Sequence, residues 1–197
     1  MSKQAIIDFF DHFAPQWDAD LEKNDAVIAQ ILDNAGIVAG VSVLDVACGT
    51  GVLVGDYLQR NVSSLTCVDI SPRMIAIAKQ KFSNTAVEFI CADIETLPFT
   101  KQFDRIVVYN AFPHFFEPDK LIEKLWGDLK PGGMLTIAHG MSRASIDKHH
   151  EGPAKDVSIG LMHEDELAQK LMPRFEILVK ISNATMYQVV GKKRIVD

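Results

Sequence analysis

The chain has 197 residues, 20 Lys plus Arg against 26 Asp plus Glu for a formal net charge of −6, and is 48% hydrophobic and 23% charged. That length suits one large domain whose core needs no disulfide staple, and the composition excludes a collagen-like repeat and a disordered tail. The acidic balance argues against non-specific nucleic-acid or anionic-membrane binding, since both reward a basic excess. Cys48, Cys67 and Cys91 form no C-x-x-C pair and read as small buried hydrophobes of a reducing compartment. No apolar run approaches the ~18 residues of a membrane span, and Asp8 and Asp11 interrupt the stretch where a signal peptide needs continuity. The expectation is a single cytoplasmic domain over 1–197.

Residues 1–35 read as helical, with Phe9, Phe10, Phe13 and Trp17 including one helical face. Val41 to Ala47 is β-branched and predicts a strand ending at a glycine turn, with a helix from Gly51 to Arg60. Leu65 to Ile70 predicts a second strand. Ser71-Pro72 then supplies an N-cap and a first-turn proline for a helix running to about Phe82, with Met74, Ile75, Ala78 and Phe82 as its apolar stripe. Val87 to Cys91 and Phe103 to Tyr109 predict strands, the latter buried on both faces because Ile106, Val107 and Val108 are consecutive. A helix over Asp119 to Leu129 should stop at the turn Lys130-Pro131-Gly132-Gly133, before a strand from Met134 to Ala138. A short polar helix follows over Ser142 to His150. Arg174 to Ile181 and Met186 to Val190 are strand-like and separated only by Ser182-Asn183-Ala184-Thr185. A parallel pair needs a crossover of a dozen residues or more, so these two form an antiparallel hairpin on the sheet edge. The alternation predicts an α/β fold with a mostly parallel sheet and helices on both faces.

The sharpest local signal is Val43-Leu44-Asp45-Val46-Ala47-Cys48-Gly49-Thr50-Gly51, a strand that ends in a two-glycine turn before a helix. Glycine permits φ > 0 and close backbone approach. The helix N-terminus lies at the carboxyl end of the sheet, where such folds bind ligands. Asp69 follows Asp45 by 24 residues (69 − 45), and Asp93 follows Asp69 by the same interval (93 − 69). Taken singly, Asp45 reads as a turn cap and Asp69 as the N-cap of the helix at Pro72. Jointly, three carboxylates at successive strand tips point to a ligand edge. A dinucleotide fingerprint needs a third small residue, which Gly49-Thr50-Gly51-Val52-Leu53-Val54 lacks, and clustered carboxylates would repel a pyrophosphate. S-adenosylmethionine, with a sulfonium, an ammonium and a ribose, suits an acidic edge.

At these residues the sequence resembles the class I S-adenosylmethionine-dependent methyltransferases of the small-molecule type, over roughly residues 5 to 191. The resemblance implies a three-layer Rossmann-like methyltransferase fold with a seven-stranded sheet. It divides the chain into an N-terminal helical lid (1–35), a cofactor-binding core (36–140), an acceptor-side segment (141–172) and the terminal hairpin (173–191). By resemblance Asp45, Ala47, Gly49 and Gly51 surround the methionine part of the cofactor, and Cys48, inside the same turn, faces the cofactor by packing. Asp69 is similar to the ribose-binding acid, Ile70 and Met74 flank the adenine, and Asp93-Ile94 meet its amino edge. Asn110 is placed near the transferred methyl, and Leu129 to Gly133 resembles the turn into strand five. Asn110-Ala111-Phe112-Pro113 departs from the Asn/Asp-Pro-Pro-Tyr/Phe pattern of amine methylation on nucleobases and glutamine. A small-molecule acceptor is therefore expected, with no nucleic acid and no membrane. Phe9 to Trp17 resembles a lid that covers the sulfonium by cation–π attraction, an alternative or complement to core packing.

A sulfonium methyl is already activated, so such an enzyme chiefly aligns its acceptor, an effect worth up to ~7–11 kcal/mol. An acidic hydroxyl or thiol acceptor further needs a base near neutral pKa, as histidine offers. His114 lies just past strand four, His139 ends strand five, and His149 and His150 close the polar helix. His139 and His150 are the catalytic candidates on the acceptor side, each with a plain solvated reading beside it; which of them, if either, is the base stays open, as does the use of a metal. Asp147 shares a face with His150 and either orients it or pairs with it at the surface. No metal site is expected. The competing readings are a silent S-adenosylmethionine-binding protein and an NAD(P)-binding oxidoreductase; acceptor identity, the methylated atom and oligomeric state stay open.

Overall fold

The computed structural model describes residues 2–19, 21, 23–150 and 155–195, excepting the side chains of 149 and 150. Its strands are β1 (Ser42–Val46), β2 (Ser64–Asp69), β3 (Glu88–Cys91), β4 (Phe103–Tyr109), β5 (Leu129–His139), β6 (Phe175–Ser182) and β7 (Tyr187–Lys193). The helices are α1 (Lys3–Phe13), α2 (Asp25–Asn34), α3 (Val54–Gln59), α4 (Pro72–Lys81), α5 (Pro118–Asp128), α6 (Arg143–His150) and α7 (Glu164–Leu171). One sheet runs β3-β2-β1-β4-β5-β7-β6. The first five strands are parallel, and β7 lies antiparallel between β5 and β6. The terminal pair is thus the expected hairpin. Asn183 Oδ1 closes its turn by accepting the Thr185 and Met186 amides, each at 2.9 Å.

Strand alternation sorts the core into two layers. Leu44, Val46, Ile106 and Val108 face α5 and α7, meeting Leu121, Leu125, Leu167 and Leu171. Val43, Cys67 and Val107 face Ile28, Leu32, Tyr57 and Ile75 of α2, α3 and α4. Ser71 caps α4, its Oγ accepting the Met74 amide at 3.1 Å with Pro72 in the first turn. Among the described residues no helix is long and apolar enough to cross a membrane.

Two boundaries differ from expectation. The helix after the glycine turn starts at Val54 rather than Gly51, because Ala47, Gly49 and Gly51 hold φ of 55°, 55° and 85°, outside helical space. Lys130 to Gly133 is not a separate turn but the irregular start of β5. Leu129 pairs with Phe103, and the register then jumps so that Met134 pairs with Arg105. Gly133 has no room for a Cβ there, with Leu129 Cδ2 2.9 Å and Asp104 O 3.1 Å from where it would sit. The buried Lys193 ammonium secures this joint by donating to the Trp126 and Leu129 carbonyls, both at 2.7 Å, at the C-terminus of α5.

Candidate functional site

The strand order reverses between β1 and β4, and a crevice opens beyond the carboxyl ends of the strands there, the usual ligand position of such a sheet. A cavity of about 390 Å³ fills it. Asp69, the last residue of β2, anchors the wall. Its Oδ2 accepts the Gly49 amide and its Oδ1 the Ser71 amide, each at 2.8 Å, so one carboxylate ties the glycine turn to the start of α4. Burial pushes its pKa up, against the pull of these backbone donors. Because Ser71 is the N-cap, Asp69 is not serving as one. A carboxylate has about four lone-pair sites, so acceptor capacity remains for a ligand.

Of the residues singled out in the sequence, Ala47, Cys48, Asp69, Ile70, Met74, Asp93, Ile94 and Asn110 line the cavity. Asp45, Gly49, Gly51 and His139 do not. Asp45 shares a strand face with Val43 and points beneath the turn, between Cys67 of β2 and Val107 of β4 in register. It is 2% exposed, its Oδ2 has no hydrogen-bond partner among the described residues, and burial, then the Asp69 charge, pushes its pKa up to about 8. The expectation of three carboxylates on one open edge is therefore corrected to two, with Asp45 in the layer behind. Gly51 packs against the Phe82 ring, whereas a Cβ on Gly49 would meet only Trp17 Nε1, at 3.8 Å. His139 is buried with its ring 6.0 Å from that of Tyr187, because the last residue of β5 turns toward β7. The His150 side chain lies outside the described residues. Asp147 accepts the Leu161 amide at 3.2 Å and stands 3.9 Å from Arg143. Among the described residues, no group of three His, Cys, Asp or Glu is placed to hold a metal.

Residues of the expected lid, and others that sequence reasoning did not assign to the site, complete the wall. Phe10 and Trp17 reach the cavity from α1 and the turn after it, with ring centroids 5.6 Å apart, while Phe9 and Phe13 pack on each other at 4.8 Å. Lys3 pairs with Asp93 and with Glu95, the latter at 2.6 Å. Asp11 accepts Ser71 Oγ at 2.5 Å and the Arg73 amide at 3.1 Å. Asp18 accepts Thr50 Oγ1 at 2.5 Å and Lys81 at 2.8 Å. On the β4 side, Asn110 holds φ 54° and its Oδ1 accepts the Gly140 amide at 3.0 Å. Burial pushes the Tyr109 hydroxyl up to about 12, against a hydrogen bond from Asn110. His114, Phe115, Phe116 and Glu117 follow on the same wall.

The wall thus carries Asp69, Asp93, Glu95 and Glu117 against Lys3, the single Lys or Arg among its described residues. That donor set fits a cation with a ribose and repels a pyrophosphate, and the glycine turn offers a backbone cradle that a Cβ at Gly49 would fill.

Residues 43–133 match the sequence profile of a family described as "Methyltransferase domain". A curated relative, the malonyl-[acyl-carrier protein] O-methyltransferase of Priestia megaterium, is 34% identical over 143 residues, covering 70% of this chain and 52% of that protein. The chain therefore spans about half the length of that relative. Among solved structures, a chain of the complex between the Haloferax volcanii Trm112 methyltransferase activator and a proposed methyltransferase superposes with a TM-score of 0.81 at 17% identity, over 97% of this chain and 98% of that one. The magnesium protoporphyrin IX methyltransferase of Synechocystis PCC 6803 with bound S-adenosylhomocysteine gives 0.74 at 17%, over 97% and 99%. Profile, strand order and acidic crevice agree: residues 43–133 carry the methyltransferase-domain profile, and the chain has the fold of S-adenosylmethionine-dependent methyltransferases.

Proposed function

We propose that this chain binds S-adenosylmethionine in the crevice and methylates a small-molecule acceptor. The carrying observation is the wall between β1 and β4: four carboxylates and one cation, with Asp69 fixed at the tip of β2 by two backbone amides. Malonyl-carrier and porphyrin methyltransferases, among the similar proteins, are named for small acceptor groups, which supports that substrate class.

When bound, the cofactor supplies a methyl group already activated by its sulfonium charge. The chain's part is to bind, orient and exclude water. Asp69 accepts from the ribose hydroxyls with its remaining lone pairs. Ile70, Met74 and Ile94 give an apolar slot for the adenine, and Asp93 accepts at its amino edge. The turn Ala47 to Gly51 receives the methionine part, with Cys48 as packing and Asp45 buried behind it. Asn110 stands at the tip of β4, on the side from which an acceptor approaches. Phe10 and Trp17 cover the opening, their ring faces suited to a sulfonium and their bulk keeping water out.

Calorimetry with S-adenosylmethionine, S-adenosylhomocysteine and NAD tests the reading. Binding of the first two without the third is expected, followed by S-adenosylhomocysteine release when a small-metabolite extract is added. Binding of NAD alone refutes it, and binding without turnover in any extract favours a silent cofactor-binding protein.

A further inference from the structure

We propose that Glu95 is a second reader of the base in the crevice: its Oε1 takes one hydrogen of an exocyclic amino group and Asp93 takes the other, so the site accepts a 6-aminopurine whose amino group is unsubstituted. This deepens the S-adenosylmethionine reading above and rests on it. The chain leaves β3 at Cys91, and the Ala92 amide donates to the Asp69 carbonyl at 3.0 Å, which sets the start of the next loop beside the tip of β2. Asp93 then closes a tight turn. Its Oδ1 accepts the Glu95 amide at 3.0 Å, and its carbonyl accepts the Leu97 amide at 3.0 Å. The turn buries Ile94 and leaves Glu95 on the crevice wall.

The two carboxylates are engaged differently. Asp93 has one oxygen on the Glu95 amide and the other on Lys3. Glu95 gives Oε2 to Lys3 at 2.6 Å, and its side chain is 7% exposed. Its Oε1 is buried and, among the described residues, is the one such side-chain acceptor on the crevice wall without a hydrogen-bond partner. A buried charged acceptor left unpaired is costly, and a donor arriving with a ligand offsets that cost. Ile70, Met74 and Ile94 stand on the same wall and suit a flat base. An exocyclic amino group brings two N–H donors, one for each carboxylate. A 6-oxo group would set its lone pairs against both carboxylates, with Lys3 already shared between them. An N6-alkyl group gives up one of the two donors.

Calorimetry on the full chain with S-adenosylhomocysteine, its N6-methyl derivative and S-inosylhomocysteine, which carries a 6-oxo group, tests this. The unsubstituted chain should bind the N6-methyl compound about 10- to 150-fold more weakly than S-adenosylhomocysteine, the worth of one hydrogen bond to a charged acceptor. The 6-oxo compound should bind at least about 100-fold more weakly. Glu95→Ala removes the second acceptor, so S-adenosylhomocysteine should lose about tenfold or more while the N6-methyl compound changes by less than about threefold. Glu95→Gln presents an N–H to the ligand while its oxygen stays on Lys3, so the preference for amino over oxo should narrow at least about tenfold. If Glu95 merely holds Lys3 and α1, all three compounds weaken together in both variants and their ratios stay constant, which overturns the proposal. Binding of the N6-methyl compound by the unsubstituted chain within about threefold of S-adenosylhomocysteine also overturns it. Thermal unfolding without ligand checks that each variant is folded; should Glu95→Ala not fold, the Glu95→Gln ratio and the ligand series on the unsubstituted chain decide. If the unsubstituted chain binds none of the three compounds, the methyltransferase reading fails; if it binds S-adenosylhomocysteine and the ratios do not move, only this inference fails.

Discussion

Replacing Asp69 by asparagine separates the two duties this side chain performs. In the folded chain one carboxylate oxygen accepts the Gly49 amide and the other the Ser71 amide, each at 2.8 Å. An amide side chain offers one acceptor oxygen, so one of these buried N–H groups loses its partner and faces an NH2 instead. An unsatisfied buried donor costs about 1–3 kcal/mol of stability. The binding loss comes from the other lone pairs. Hydrogen bonds to a charged acceptor contribute about 1.5–3 kcal/mol each, and the amide keeps part of them. A net loss of about 2–3 kcal/mol is expected, or about 30- to 150-fold weaker binding. Calorimetry with S-adenosylhomocysteine measures the affinity, and thermal unfolding without ligand measures the stability of the same Asp69→Asn protein. If stability falls while affinity stays within threefold, Asp69 is only the tie between the glycine turn and α4, and the ribose contact is wrong.

Asp45 is protonated in the folded chain up to about pH 8 but ionises near its ordinary value of 3.8 when unfolded. Between those values the folded state binds the extra proton, so this group's contribution to stability is full at low pH and declines by about 1.4 kcal/mol per pH unit. Asp45→Asn should remove that slope in urea unfolding at pH 5 and 7.5; an unchanged slope places its source elsewhere. Gly51→Ala should destabilise by about 2–4 kcal/mol, since its Cβ would sit 2.9 Å from Phe82 Cε2 at φ 85°. Gly49→Ala should cost about 1–2 kcal/mol, from φ alone. Denaturation midpoints in the reverse order would contradict this packing. Lys3→Ala, from a side chain 45% exposed, should change global stability by under about 1 kcal/mol yet speed hydrogen exchange over residues 3–13. Unchanged exchange there would mean the pair with Asp93 and Glu95 does not hold α1.

Much of the wall was legible because position and chemistry coincide at strand ends. Asp69, Ile70 and Met74 follow from a β-branched run, a serine cap and a proline, all local signals. Asp45 lies behind the wall for a reason the pattern already contains: it is two residues from Val43, so the two share a face, and that face is core. His139 lies off the wall for a long-range reason, since its place depends on β7 arriving beside β5 from nearly fifty residues downstream. The irregular start of β5 depends on Lys193, which no reading of Lys130-Pro131-Gly132-Gly133 could supply. Lys3 and Asp93 are 90 residues apart and their pairing has no local signature. His114 was visible as a histidine past strand four, but its contact with the carbonyl of Val157, 43 residues away, has no local signature.

The charged residues of the N-terminal segment have a related task. Lys3 reaches Asp93 and Glu95 beyond β3, Asp11 reaches Ser71 and Arg73 beyond β2, and Asp18 reaches Thr50 beyond β1. The segment from α1 to Asp18 is therefore fastened once to each of the three loops that form the proposed cofactor site. The Lys3 tie is a partly exposed ion pair, which contributes about 1 kcal/mol or less, and the Asp11 and Asp18 ties are hydrogen bonds to a charged acceptor, about 1.5–3 kcal/mol each at most. Three such ties, with Ile6 and parts of Phe10 and Trp17 covered, hold the segment closed at an opening cost well below that of global unfolding. Because the ties end on the binding loops themselves, a cofactor that orders those loops also stabilises the cover above it.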